Sequence, residues 1–304
     1  MENKLSKVRL KRNESFNIRE GWLRKGMKLL PDYPNLFSLE EAMQLLGVGS
    51  KMVKSIKYWL LTTGLAEEKK VKSKIELVIT EELGEVINQY DPYFEDLFTL
   101  YILHVNIASN IDNATIWYLF FNKYDAKTFT KEDMQNVLDN ELKKILNKDV
   151  TYSDSLFRDD CGSVIKMYAD DEDNNDPEDN LSSPLSALGL LVKSQTKKGT
   201  FEKTAPRYDK LDCLVILYIM LRNKIEGKDS VSINDLLTGE NSAGKLLNLT
   251  RPRLNEYLDQ LRARGYITIN RTAGLDMVYF DKDITAKHTP LRHGLPPAIR
   301  TSPT

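Results

Sequence analysis

The chain has 304 residues, 41% of them apolar and 29% charged, and a net charge of −1. That length suits two or three domains with cores of their own, and no apolar run approaches the roughly 20 residues of a membrane-spanning helix. The N-terminus lacks the apolar stretch of a secretory signal, and Cys161 and Cys213 stand far apart with no CxxC partner, so a reduced cytoplasmic protein is expected.

The near-zero net charge conceals a segregation. Residues 1–75 carry sixteen Lys and Arg against eight Asp and Glu, and residues 181–304 carry nineteen against twelve. Residues 132–180 carry five against fifteen. Basic ends around an acidic middle point to a chain that binds a polyanion.

Taken in chain order, Ser38 followed by Glu41 reads as a capping box opening a short helix with Ala42, Leu45 and Leu46 on its apolar face. "GVG" at 47–49 breaks it, and Ser50 is placed to cap a second helix. There Val53, Ile56 and Leu60 form a buried stripe, with Gly64 as the C-terminal stop. "EEKKVKSKIELVIT" then alternates into an extended wing. Lys51, Lys54 and Tyr58 fall opposite the stripe, and Lys69, Lys70, Lys72 and Lys74 lie on the wing. Together these predict a winged helix whose second helix and wing meet DNA. The plain alternative is a solvated helix face beside a basic loop.

The middle of the chain predicts helices in "DPYFEDLFTLYILHVNIAS" and after "ATIWYLFF", with the aromatics as core, and a helix start at Thr130 with Asp133. "YSDSLFRDDCG" reads as a solvated acidic loop, and "YADDEDNNDPEDNLSSP" as a mobile one. Toward the C-terminus, "YDKLDCLVILYIML" is an apolar helix and Ser232 caps a short one. Thr250 and Pro252 open a third, with Leu254, Tyr257, Leu258 and Leu261 as its stripe and Gly265 as its end. "YITIN" and "LDMVYF" alternate as a hairpin. Arg251, Arg253, Arg262 and Arg271 point away from the stripe and are a second candidate DNA contact set. The expected architecture is therefore mostly α with small β wings. A winged-helix domain (1–90) and a helical central domain with an acidic loop (91–205) precede a second winged-helix domain (206–283) and a disordered tail (284–304).

"NESFNIREGWLRKGMKLL", "LGVGSKMVKSIKYWLLTTGL", "DPYFEDLFTLYILHVNI", "ATIWYLFFNKY" and "SPLSALGLL" resemble, in that order, blocks of a prokaryotic family catalogued as domain of unknown function 4007. The resemblance spans roughly residues 10–280. It implies a place beside phosphoadenylylsulfate reductase-like enzymes in bacterial defence loci, including those for DNA phosphorothioation. Such an enzyme is then an implied partner, and a homodimer is an open possibility. The chain departs from the family pattern at Asn13, where the resemblance leads one to expect histidine, so no catalytic histidine carries over there.

Catalytic signals are sparse. Three histidines, His104, His288 and His293, offer no zinc spacing, and no P-loop or GxGxxG is present. Asp154, Asp159 and Asp160 are the one carboxylate group that would suit a divalent cation, and acidic neighbours argue against Cys161 as a nucleophile. Arg12, Arg19, Arg24 and Lys25 around Phe16 and Trp22 suit either phosphate and base contact or packing under the first helices. The expectation is a non-catalytic DNA-binding subunit that senses sequence or modification and uses no cofactor or metal. A protein scaffold or transcriptional regulator is the first alternative, and a metal-dependent nuclease the second.

Overall fold

The computed structural model describes residues 4–169, 182–272 and 275–281. Helices α1 (Trp22–Leu29), α2 (Ala42–Leu46) and α3 (Ser50–Thr62) come first. Val53, Ile56 and Leu60 of α3 are buried, as their spacing demands. They pack on α1 so closely that a Cβ added at Gly26 would stand 2.6 Å from a Leu60 methyl. The two serines expected as caps do not cap. Ser38 ends a 3-10 turn, and α3 starts at Ser50 itself with Gly49 as its N-cap. After α3 come strands β1 (Ala66–Val71) and β2 (Lys74–Ile79), an antiparallel hairpin anchored at its base by the Leu77 N–H donating to the Pro34 carbonyl.

Helix α4 (Gly84–Tyr90) leads to α5 (Leu97–Ala108) and α6 (Thr115–Asn122), which are buried on nearly every side. Helices apolar all round have nowhere to lie but the interior. Strand β3 (Thr128–Thr130) runs into α7 (Lys131–Ile145), whose start is the Thr130–Asp133 capping box read from the sequence. The stretch 152–162, expected as a solvated acidic loop, lies mostly in helix α8 (Asp154–Tyr168), capped by Ser153. Its buried Phe157, Cys161, Val164 and Tyr168 recur at helical spacing, a signal that the neighbouring acids obscure.

Beyond it, β4 (Leu191–Lys193) and β5 (Thr200–Lys203) join β3 in the order β3–β5–β4. The rest is α9 (Cys213–Arg222), β6 (Ser230–Ser232), α10 (Ile233–Thr238), α11 (Ala243–Leu246), α12 (Arg251–Ala263), β7 (Ile267–Thr272) and β8 (Leu275–Phe280). The last sheet has the order β6–β8–β7.

The expected mostly α architecture, with two winged-helix domains around a helical centre, is therefore corrected. Helices share the chain with three small antiparallel sheets, one of them in the stretch expected to be wholly helical, and the first hairpin pairs with no third strand among the described residues. The physical reason is pairing range. Thr128–Thr130 meets Thr200–Glu202 across some seventy residues, and strands this short carry no alternation that a local pattern can reveal. The expected mobile loop and disordered tail fall largely on 170–181 and 282–304, outside the described residues.

The core is continuous from Ile18 to Phe280. The N-terminal segment straps it together. Leu5 bridges to Leu146, Asn17 donates to the Ser163 carbonyl at 3.0 Å, and the Phe16 carbonyl accepts from Ser55 Oγ and Trp59 Nε1. The strap thus ties α8 to α3.

Candidate nucleic-acid interface

Because α3 buries Val53, Ile56 and Leu60, its opposite face is left outward, with Lys51 and Lys54 exposed. Strap and helix together enclose a cleft of about 430 Å³. Arg9, Lys11 and Arg12 of the strap face Lys54 and Lys57 of α3 across it, and only two carboxylates, Glu14 and Glu68, line it with them. Lys57 pairs with Glu68 at 2.6 Å and Lys11 with Asp159 at 2.7 Å. Lys54 stands 3.9 Å from Glu14, a loose contact. Among the described residues no carboxylate lies within ion-pair distance of Arg12 or Lys51.

The strap's backbone is preset. Lys11, Glu14 and Ser15 hold φ of 55°, 50° and 67°, the left-handed region that costs a non-glycine residue about 1 kcal/mol. Two side chains hold this turn. Asp160 Oδ2 accepts the Lys11 N–H at 2.9 Å, and Asn13 Oδ1 accepts the Ser15 N–H at 3.2 Å. Asp160 is buried, and burial pushes its carboxyl up to about 7; the Lys11 N–H opposes that rise and the neighbouring Asp159 adds to it. Asn113 closes the cleft, accepting Arg9 on its side chain at 2.7 Å and the Tyr58 hydroxyl on its carbonyl at 2.8 Å. Tyr58 is accordingly a wall of the cleft, its phenol raised by burial, and its hydroxyl is already committed.

The wing lysines divide. Lys69 pairs with Glu67 at 3.1 Å. Lys70, Lys72 and Lys74 lie at the hairpin's far end, with Lys72 in the turn at φ 55°, and no acid among the described residues pairs with them.

The four C-terminal candidate arginines each lie beside an acid. Arg251 binds Asp276, Arg253 binds Glu256 at 3.1 Å and lies over the Tyr208 ring, and Arg262 and Arg271 share Asp259. The sequence reading missed Arg9, Lys11, Lys57 and Asn113. Lys57 had a signal, since it follows Lys54 at helical spacing; Arg9 and Asn113 are brought in by tertiary contact.

The carboxylates considered for a cation are otherwise engaged. Asp154 binds Arg158 at 2.8 Å, Asp159 binds Lys11, and Asp160 is buried. Among the described residues no three His, Cys, Asp or Glu side chains gather closely enough to hold a metal ion. His104 is buried in the core, with the Leu246 carbonyl at 2.8 Å from Nε2 and the Tyr168 hydroxyl at 2.8 Å from Nδ1. A carbonyl only accepts, so Nε2 carries the proton and Nδ1 receives the Tyr168 O–H. Cys161 is buried beside Asp160, and burial pushes its thiol up to about 12. No helix among the described residues is long and apolar enough to cross a membrane.

Two solved structures share the fold. One, described as "Magnesium ion-bound SspB crystal structure", matches at a TM-score of 0.79 with 24% identity, over 89% of this chain and 83% of that one. The other, described as "SspB crystal structure", matches at 0.77 with 23% identity over the same shares. No curated protein matches. The family described as "Protein of unknown function (DUF4007)" matches residues 10–292. The chain belongs to that family.

Proposed function

We propose that the chain binds double-stranded DNA through the face built by the strap, α3 and the β1–β2 hairpin, as the sequence- or modification-sensing subunit of a bacterial DNA-modification or anti-phage system. One observation carries the reading: five cations from two separate segments converge on one cleft lined by two carboxylates. Folding such like charges together costs self-repulsion, which a phosphate backbone relieves. The unpaired lysines at the hairpin's end extend the same charge outward, whereas Arg251, Arg253, Arg262 and Arg271 are offset by three acids, Asp276, Glu256 and Asp259, and contribute less.

The setting comes from the family resemblance, which supports DNA phosphorothioation as the modification and a phosphoadenylylsulfate reductase-like enzyme as a cytoplasmic partner. The magnesium ion belongs to the similar structure that names it. In this chain the carboxylates of α8 are engaged otherwise, Asp154 by Arg158, Asp159 by Lys11 and Asp160 by burial.

Purified protein titrated against plain and phosphorothioate duplexes, with and without Mg²⁺, tests the proposal. Saturable, salt-sensitive binding is expected in both metal conditions. Absence of binding to either duplex moves the reading to a protein scaffold. Mg²⁺-dependent nicking that disappears in Asp159→Ala with Asp160→Ala moves it to a nuclease.

A further inference from the structure

The β1–β2 hairpin is exposed along most of β1 and around its turn. Its register places Ala66, Glu68 and Lys70 on one face with Ile79, Leu77 and Ile75 of the other strand. The inner members of this row are core: Ala66 is 3% and Leu77 4% exposed. Ile75 continues the row one step beyond the core and is 61% exposed, the most exposed large apolar side chain among the described residues. The row also carries Glu68, which holds Lys57, so Ile75 projects on the side of the hairpin that faces the cationic cleft. Lys70 stands directly opposite it in the ladder, Lys72 lies in the turn, and Lys74 precedes it on the hairpin's other face.

An isoleucine exposed at the hairpin's far end gains little for the fold, and the unpaired lysines on both faces there disfavour a neutral apolar partner. The combination matches a groove of duplex DNA, where lysines meet the flanking phosphates while an apolar side chain presses on a base step. Two-stranded ribbons are accommodated in either groove of duplex DNA. We propose that Ile75 is an apolar wedge which unstacks a base step of bound duplex DNA, with Lys70, Lys72 and Lys74 clamping the phosphates on either side. This deepens the DNA-binding reading and rests on it.

The test uses the full chain and a short duplex carrying 2-aminopurine at successive steps and a dye at each end. Wild-type protein should raise 2-aminopurine fluorescence at one step and shorten the end-to-end distance. Ile75→Ala should abolish both signals and weaken binding by up to about tenfold, leaving the dependence on salt unchanged because no charge is removed. Ile75→Leu should restore the signals. Lys70→Gln with Lys74→Gln should instead lower the magnitude of the log K against log salt slope by about two. If wild type binds and Ile75→Ala gives the same fluorescence, bend and affinity, the wedge is wrong while the DNA-binding reading stands. If wild type does not bind duplex at all, both fall.

Discussion

Lys57 Nζ of α3 and the Glu68 carboxylate of β1 meet at 2.6 Å, pinning the hairpin to the helix whose lysines line the cleft. Both side chains are more than one-third exposed, so the pair contributes on the order of 0–1 kcal/mol to stability. Its larger effect is electrostatic, since Glu68 cancels one of the cleft's cations.

Removing that carboxylate should therefore improve DNA binding. Glu68→Gln keeps the side-chain shape and frees Lys57 for a phosphate, so duplex affinity at low salt should rise and the salt slope should steepen by about 0.9. Titration at several salt concentrations reads both. Weaker binding by a folded variant would mean that the hairpin's position matters more than its charge.

Asp160 makes stability depend on pH in a direction that can be worked out. Its carboxyl is raised from 3.8 to about 7 in the folded protein. Its contribution is thus fully present below 3.8 and is lost as pH rises through 7. Asp160→Asn keeps an oxygen for the Lys11 N–H and removes the titration. Its unfolding free energy, relative to wild type, should increase steadily between pH 4 and 8 in denaturant melts.

His104 acts in the opposite direction over much of that window. Burial lowers it from 6.5 to about 4, so its contribution is present above 6.5 and is lost as pH falls toward 4. The two groups partly mask each other in the wild type, and the difference between each single variant and wild type isolates its own group. In His104→Gln the acid-side loss of stability between pH 6.5 and 4 should be reduced. A His104→Gln curve parallel to wild type would contradict the assignment.

The Tyr168 hydroxyl is the donor that satisfies His104 Nδ1. Tyr168→Phe leaves a buried acceptor without a partner and should cost about 1–3 kcal/mol in equilibrium unfolding. A neutral result would mean that the imidazole finds another donor.

What could be read from the sequence follows from the range of the interactions. The stripes Val53–Ile56–Leu60 and Leu254–Tyr257–Leu258–Leu261 and the Thr130–Asp133 box are local, and all lie where their spacing puts them. The β3–β5–β4 sheet is not local, and α8 was hidden because acids, two exposed and one buried, interrupt its apolar pattern. The site was half legible. Lys51, Lys54 and the wing lysines announce a basic face by spacing alone. That Arg9, Lys11, Arg12 and Lys57 share a cleft with Lys54, and that Arg251, Arg253, Arg262 and Arg271 each lie beside an acid, depends on contacts across the fold. Ser38 and Ser50 show the limit of cap rules, since glycine and 3-10 geometry took the positions that sequence assigns to serine.

The most direct test of the account is the salt dependence of duplex binding in two charge-reversal pairs. Lys51→Glu with Lys54→Glu removes two exposed cations of α3. It should flatten the log K against log salt slope by about two and cut affinity at low salt, with unchanged circular dichroism. Arg251→Glu with Arg253→Glu touches cations already paired with Asp276 and Glu256, and should change the slope by less than one. If both pairs bind duplex as wild type does, or if only the arginine pair matters, the proposed DNA face on α3 is wrong.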